Sequence, residues 1–279
     1  MKFSVESKDF KKSVDYLVKN GVGEGSLSFD EKGVHFKGIE PSQIVMVELD
    51  FPVSAFSVFN TNEGETLSVD FGDLSNALSC FPANVLCEKM DNKLRLLSDD
   101  VELFLPLLAS LEESEVPSVN CDWTSVYSVE PVSVRSALKN VLRFSPKAEF
   151  NIVGEVLSLS SYGGHIASVS IKVKSEVIKV NDGDGSIVSA SYLESVLGSI
   201  DSLKLSMGSA MPLKFEGVVG LAKARVFLAC VLPSDDDDEP EIKPEEKKKS
   251  ESKDKPVSKE ASKTVEEPPS LEELEGELK

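Results

Sequence analysis

The stretch Gly38-Ile39-Glu40-Pro41-Ser42-Gln43-Ile44-Val45-Met46-Val47-Glu48-Leu49 reads as a turn that feeds a strand. Pro41 and Ser42 are turn formers. From Ile44 to Leu49 only Glu48 is polar, and so short an apolar run has the length of a buried strand rather than of a helix. Similar segments surround it at residues 25–29, 33–37 and, much later, 153–159. Each is apolar or alternating and bounded by Gly, Asn, Asp or Pro, as antiparallel strands are. Four other segments, residues 8–20, 72–81, 132–144 and 189–200, carry apolar positions three or four apart and predict amphipathic helices.

The order of these segments repeats. A helix, a meander of strands, a shorter helix and further strands end near Leu108, and the same series restarts near Val126. Such self-similarity predicts two like domains over residues 1–108 and 126–233, joined by an acidic, Pro-containing connector at 109–125. After Pro233 the composition changes. Residues 234–279 hold seventeen acidic and nine basic side chains, a net −8 of the chain's −18. Burial cannot offset chain entropy for such a composition, which predicts a disordered, acidic and Lys-rich tail. Within it Leu271, Leu274 and Leu278 fall at helical spacing.

A chain of 279 residues with 41% hydrophobic content can build a sizeable core. It has no apolar run long enough to span a bilayer and no signal-type apolar region at its start, so a cytosolic or nuclear protein is expected. Cys80, Cys87, Cys121 and Cys230 form no C-x-x-C pair, and the two histidines, His35 and His165, are far apart. Reduced, mostly buried thiols and no metal site are therefore expected.

The acidic balance excludes a general nucleic-acid binder and leaves only a local basic surface for phosphates. Lys8, Lys11, Lys12 and Lys19 fall within about 100° of arc on the first helix, opposite Phe10, Val14, Leu17 and Val18. Arg135, Lys139 and Arg143 are spaced four apart on the third. No nucleophile elbow, phosphate loop or metal-spaced ligand set is present, so the sequence predicts no enzyme, no catalytic residue and no cofactor. Asp182-Gly183-Asp184-Gly185 lacks the later ligands of a calcium loop and reads as a solvated turn.

In this order and spacing the segments resemble the PCNA-type sliding-clamp family, its archaeal members above all. The resemblance rests on Gly38–Leu49 followed by Phe51-Pro52-Val53-Ser54-Ala55-Phe56, and on Leu67–Phe71 leading into Leu74–Leu78. It continues through Ser191-Tyr192-Leu193, Leu205-Ser206-Met207, Met211–Glu216 and Val226–Ala229, and covers residues 1 to 233. It implies an α+β fold of two similar clamp domains, with antiparallel sheets outside and four helices lining the inner face of a ring. The ring would be a homotrimer, or a heterotrimer of related subunits. The function implied is that of a DNA polymerase processivity factor, chromosome-associated in the cytoplasm, or in the nucleus of a eukaryote. Such a clamp encircles double-stranded DNA without sequence preference and tethers polymerase, clamp loader, nuclease and ligase through short apolar peptides.

On that resemblance the DNA-facing residues are Lys8, Lys11, Lys12, Lys19, Arg135, Lys139 and Arg143. The partner-peptide pocket is formed by Ile39, Gln43, Ile44 and Met46, by Leu111, Val116 and Pro117 of the connector, and by Pro212, Phe227, Ala229 and Leu232. Subunits pair through residues 102–107 and 166–173, with Phe104, Leu105, Val169 and Ile171 at the contact. Two departures stand out. The second and fourth helices carry neither Lys nor Arg where the family is commonly basic, and Cys230 stands where the family often has proline. The uncharged helices motivate a competing reading, an acidic protein-interaction scaffold that keeps the clamp fold but no longer encloses DNA.

Overall fold

A computed structural model describes residues 1–62, 64–109, 116, 118–163 and 168–232. The first half runs β1 (Lys2–Glu6), α1 (Ser7–Lys19), β2 (Glu24–Asp30), β3 (Gly33–Ile39), β4 (Val45–Pro52), a 3-10 turn (Val53–Ala55), β5 (Phe56–Asn60), β6 (Glu65–Asp70), α2 (Phe71–Leu78), β7 (Asn84–Met90), β8 (Lys93–Leu97) and β9 (Glu102–Pro106). The second half runs β10 (Ser125–Val129), α3 (Pro131–Val141), β11 (Lys147–Val153), β12 (Val156–Tyr162), β13 (Ser170–Lys172), β14 (Ser175–Lys179), β15 (Gly185–Ser189), α4 (Ala190–Leu197), β16 (Leu203–Met207), β17 (Leu213–Val219) and β18 (Ala222–Leu228). Strand for strand and helix for helix, the second series repeats the first.

The sheets repeat as well. The order β5-β1-β7-β8-β9 in one half returns as β14-β10-β16-β17-β18 in the other, and β4-β3-β2-β6 returns as β13-β12-β11-β15. Between the halves, β18 pairs antiparallel with β4 and fuses two of these sheets into one of nine strands. Among the described residues, the counterparts of those two strands, β9 and β13, remain open edges.

Alternation sets which side chains reach the core. On β4, Val45, Val47, Leu49 and Phe51 are buried in the main cluster, while Met46 faces away and is buried outside it. Each helix lays one apolar stripe on this core: Phe10, Val14 and Leu17 from α1, Phe71, Leu74 and Leu78 from α2, Val134, Leu138 and Val141 from α3, and Leu193, Val196 and Leu197 from α4. Local chemistry starts them. Glu6 and Asp70 accept hydrogen bonds from the backbone N–H groups of Asp9 and Asp73, and Pro131 opens α3.

α1 packs on α2 and α3 on α4, and the hydroxyl of Tyr16 donates to Val196 O at 2.7 Å, so the helices form one continuous layer in the order α2-α1-α4-α3. The C-terminal carbonyls of α4 lack intrahelical partners. They are met by Tyr16 and by Arg135 of α3, whose guanidinium donates to Leu197 O at 2.7 Å and Ile200 O at 3.2 Å. A cation there also complements the helix dipole. Ser13 Oγ donates to Val219 O at 2.7 Å where Gly220 turns at φ +56; a Cβ on Gly220 would come 2.2 Å from Asp9 O. α1 is thereby clasped to the other half.

Three expectations are corrected. Residues 153–159 are not one strand: Gly154, at φ +62, and Glu155 form the turn between β11 and β12. Val18 lies outside the buried stripe of α1, at 40% exposure. Of the cysteines only Cys87 is buried, whereas Cys80 is exposed and Cys121 and Cys230 are half-buried.

Because Arg135 satisfies two carbonyls through a charged donor, Arg135→Ala is expected to destabilise the fold by about 1–3 kcal/mol. The neighbouring exposed Lys139→Ala should stay within about 0.5 kcal/mol. Urea unfolding of both variants checks this; equal midpoints would show that Arg135 does not clasp α4.

Candidate partner pocket and nucleic-acid interface

Cross-strand register lines up one apolar row on the outward face of the nine-stranded sheet. Ile39 of β3 lies opposite Met46 of β4, Met46 opposite Phe227 of β18, and Phe227 opposite Lys214 of β17. Met46 is 3% exposed and Phe227 6%, yet neither belongs to the main core cluster. They form a satellite cluster at the junction of the halves. Ala229 N donates to Ile44 O at 2.9 Å and extends the junction beyond β18.

The turn before β4 is built on Glu40. Its carboxylate, 4% exposed as a residue, accepts from Ser42 N and Ile44 N, both at 2.7 Å, while its backbone carbonyl accepts from Gln43 N at 2.8 Å. This holds Gln43 at φ +61, a conformation non-glycine residues seldom take. Burial opposes the charge on Glu40, but the N–H groups of Ile44 and Ser42 outweigh it and depress its pKa.

Of the expected pocket residues, Ile39, Met46 and Phe227 meet along this row, whereas Ile44 packs partly against the main core cluster. Gln43 is exposed at the turn, Pro212 and Ala229 are half-buried, Val116 is half-buried in the connector, and Leu232 is 67% exposed. Leu111 and Pro117 lie outside the described residues, as do residues 166–167 of the expected pairing segment and the tail from 233. Sequence reasoning missed Trp123. Its ring lies 6.0 Å from that of Phe227, its Nε1 donates to Pro212 O at 2.8 Å, and Lys214 Nζ sits 4.7 Å over it. Being the sole tryptophan, in a connector next to a strand, was the one available signal.

Sequence reasoning also mistook Asp184. The Asp182–Gly185 turn is not simply solvated: Asp184 is 3% exposed and accepts from Thr124 Oγ1, Ser125 Oγ and Asn181 Nδ2. Burial raises its pKa, and these hydroxyl and amide donors more than reverse the effect.

The helix layer divides its cations. Among the described residues Lys8, Lys19, Lys139 and Arg143 have no ion-pair partner, and Arg143 lies in the turn after α3 rather than on it. Lys11 pairs with Asp15 at 2.7 Å and Lys12 with Asp201 at 2.6 Å. Arg135, expected in the phosphate-facing row, spends one guanidinium nitrogen on the carbonyls of Leu197 and Ile200. Asp15 also accepts from Ser75 of α2; burial works against its charge, but Lys11 and Ser75 together hold its pKa low.

At the open edges, Leu105 is 5% exposed in the core, Phe104 is 49% exposed, and Val169 and Ile171 pack partly against the core. Leu107 N donates to Asn92 O, Ser98 N to Val101 O, Ser161 N to Val169 O and Val173 N to Leu157 O. Antiparallel alternation then turns the backbone N–H and C=O groups of Glu102 and Phe104 on β9, and of Ser170 and Lys172 on β13, towards the vacant side.

The duplicated two-domain α+β architecture, with a helix layer on antiparallel sheets, is that of a sliding clamp. Residues 3–103 match the N-terminal domain model of proliferating cell nuclear antigen. A DNA polymerase sliding clamp of Archaeoglobus fulgidus is 27% identical over 236 residues, covering 80% of this chain and 96% of the relative. The A. fulgidus PCNA structure described as bound to the C-terminal region of FEN-1 superposes with a TM-score of 0.75 at 22% identity, over 84% of this chain and 99% of that one. A PCNA2-PCNA3 complex from Sulfolobus tokodaii gives 0.71 at 19% identity, over 82% and 99%. Over residues 3–103 and in its fold, the chain is similar to PCNA-type sliding clamps.

Glu40 supplies a test of how the turn before β4 is held. A depressed carboxylate contributes fully above the ordinary glutamate range, and the contribution is lost as pH falls through the folded-state value. Hydrogen exchange at Ser42 N and Ile44 N should therefore lose protection in Glu40→Ala at neutral pH, with the sheet amides of Val47 and Leu49 unchanged. Unaltered protection at both turn amides would show that the carboxylate does not hold the turn.

Proposed function

We propose that the chain is a DNA polymerase processivity factor: copies close edge to edge into a trimeric ring around duplex DNA, and client enzymes dock by short apolar peptides in the Ile39–Met46–Phe227 pocket. The observation that carries this reading is the repeat itself. Within one chain β18 covers the edge of β4; among the described residues the outer edges of the equivalent strands β9 and β13 are unpaired, and the two lie in different sheets. Unpaired edges invite a second chain. Clamp domains at 1–108 and 126–233 with a connector at 109–125 fit the element order.

The repeat also supplies a register for the contact. Aligning hairpin on hairpin, β17–β18 onto β8–β9 and β3–β4 onto β12–β13, carries the internal pairs Arg225–Glu48 and Lys223–Asp50 onto Phe104–Ser170 and Glu102–Lys172. These are the four residues whose backbone groups face the vacant side, and opposite charges meet at Glu102 and Lys172. Phe104 then lies at the contact as expected from the sequence, while Leu105, Val169 and Ile171 support it from the core side.

Loose holding follows from the charges. Few uncommitted cations face phosphate, α2 and α4 offer none, and acidic Asp15, Asp73, Glu194 and Asp201 lie among them. Enclosure by a closed ring does not depend on tight binding. The same sparse charge favours the scaffold reading, so the deciding experiment is primer extension on a loaded, primed circle: long products in the presence of the chain support the clamp, and unchanged product length supports the scaffold. Chemistry at a catalytic centre has no part in this function.

Two further outcomes are expected. Glu102→Lys and Lys172→Glu should each weaken ring assembly by about 1 kcal/mol by placing like charges opposite, and the double swap should recover it. Analytical ultracentrifugation over a dilution series reads this; singles without effect would discard the register. Lys8→Ala with Lys139→Ala should shorten residence on DNA and flatten its salt dependence, by up to about 0.9 in slope for each phosphate no longer neutralised. An unchanged slope would take these lysines off the DNA.

A further inference from the structure

We propose that His35 is a proton-operated latch on the outward face: as an imidazolium it ties the turn between β2 and β3 to Asp50 of β4, the strand on which the two halves join, and on losing a proton it releases one of the two carboxylates it holds. Both ring nitrogens are engaged, Nδ1 with Asp50 Oδ1 at 2.7 Å and Nε2 with Asp30 Oδ1 at 3.0 Å. An ionised carboxylate only accepts, and only the protonated ring donates from both nitrogens. A neutral ring would turn a lone pair on one of the two carboxylates, so that contact must open.

Other contacts depend on this one. Asp30 also accepts from Lys32 N at 2.7 Å and Gly33 N at 3.0 Å, and Lys32 O accepts from Val53 N at 3.1 Å. The turn therefore closes over the end of β4, so tightly that a Cβ on Gly33 would fall 1.9 Å from Phe51 O. On its other side Asp50 lies opposite Lys223 of β18. Asp30, His35, Asp50 and Lys223 thus form a chain of alternating sign that crosses the junction of the halves, and it is complete only when His35 is charged. The neighbouring row of Lys37, Glu48 and Arg225 alternates whether or not His35 holds its proton, and opposite charges on facing strands are favourable. The remaining ionisable groups around the ring are Glu31 and Lys32, both exposed in the turn.

His35 is half-buried. Burial opposes its charge, but Asp50 and Asp30 outweigh that effect and raise its pKa, while His35 and then Lys32 N lower that of Asp30. The ordinary histidine pKa, about 6.5, is the one in this chain of groups that lies near neutrality. With the pKa raised in the folded state, the latch contributes fully below the ordinary histidine value, and its contribution is lost as pH rises through the folded-state value.

The test uses the full chain. Histidine ring resonances are followed by NMR against pH, the His35 signal being the one of two that is lost in His35→Gln, and amide exchange at Gly33 and Val53 is measured over the same range. His35 is expected to titrate above the ordinary value, and Asp30→Asn with Asp50→Asn should bring it back to that value or below. Linkage sets the size of the second effect: the opening constant of the turn, corrected for intrinsic exchange chemistry, should rise about tenfold for each unit by which His35 titrates high. His35→Gln, which keeps one donor and cannot titrate, should show no such rise. The latch is overturned if wild-type His35 titrates at or below the ordinary value, or if a high value persists in the double variant. It is overturned also if exchange at Gly33 and Val53 has the same pH dependence in the wild type as in His35→Gln.

Discussion

Backbone hydrogen bonding at the edge of a sheet is the constraint on which the molecule turns. A strand's outer N–H and C=O groups need partners, and each half of this chain leaves two such edges of complementary kind. One pair is satisfied internally where β18 meets β4. That junction fuses the halves, sets Met46 opposite Phe227 and so creates the apolar row on the outward face. The other pair, β9 and β13, has the same place in the repeat, and among the described residues its outer edges are unpaired. One structural rule, applied once within the chain and, in the proposed assembly, once between copies, underlies both the proposed partner pocket and the proposed ring.

The opposite face has different chemistry. There polar links use up charge: Lys11 on Asp15 within α1, Lys12 on Asp201 beyond α4, Arg135 on the end of α4. A layer organised in this way is rigid but weakly attractive to phosphate. Tight, sequence-independent binding would oppose movement along a duplex, and diffuse contacts from a few exposed lysines are screened within about 8 Å at physiological salt. In the proposed function, specific attachment is left to the outward face, where apolar contacts are insensitive to salt.

Much of this was legible in the sequence because periodicity reports burial. The helices at 8–20, 72–81, 132–144 and 189–200 lie within a few residues of α1 to α4, and the turn-and-strand reading of Gly38–Leu49 holds with Glu40 as its organising group. What stayed hidden was what depends on tertiary neighbours. Nothing on α3 reveals that Arg135 ends on another helix's carbonyls, since those lie more than sixty residues away. Asp184 looked like a solvated loop carboxylate because its donors, Thr124 and Ser125, come from the connector. Val153–Leu159 lost its hairpin because Gly154-Glu155 is a short turn inside an apolar run. Trp123 carried no periodic signal at all.

Topological enclosure is the central claim, and it separates a clamp from a protein that merely adheres to DNA. After loading onto a nicked circular duplex, the chain is challenged with high salt before and after the circle is cut once by a restriction enzyme. A ring predicts retention on the circle through the salt wash and rapid loss on linearisation, as copies slide off the ends. Equal loss from circle and linear DNA, or equal retention on both, would contradict it.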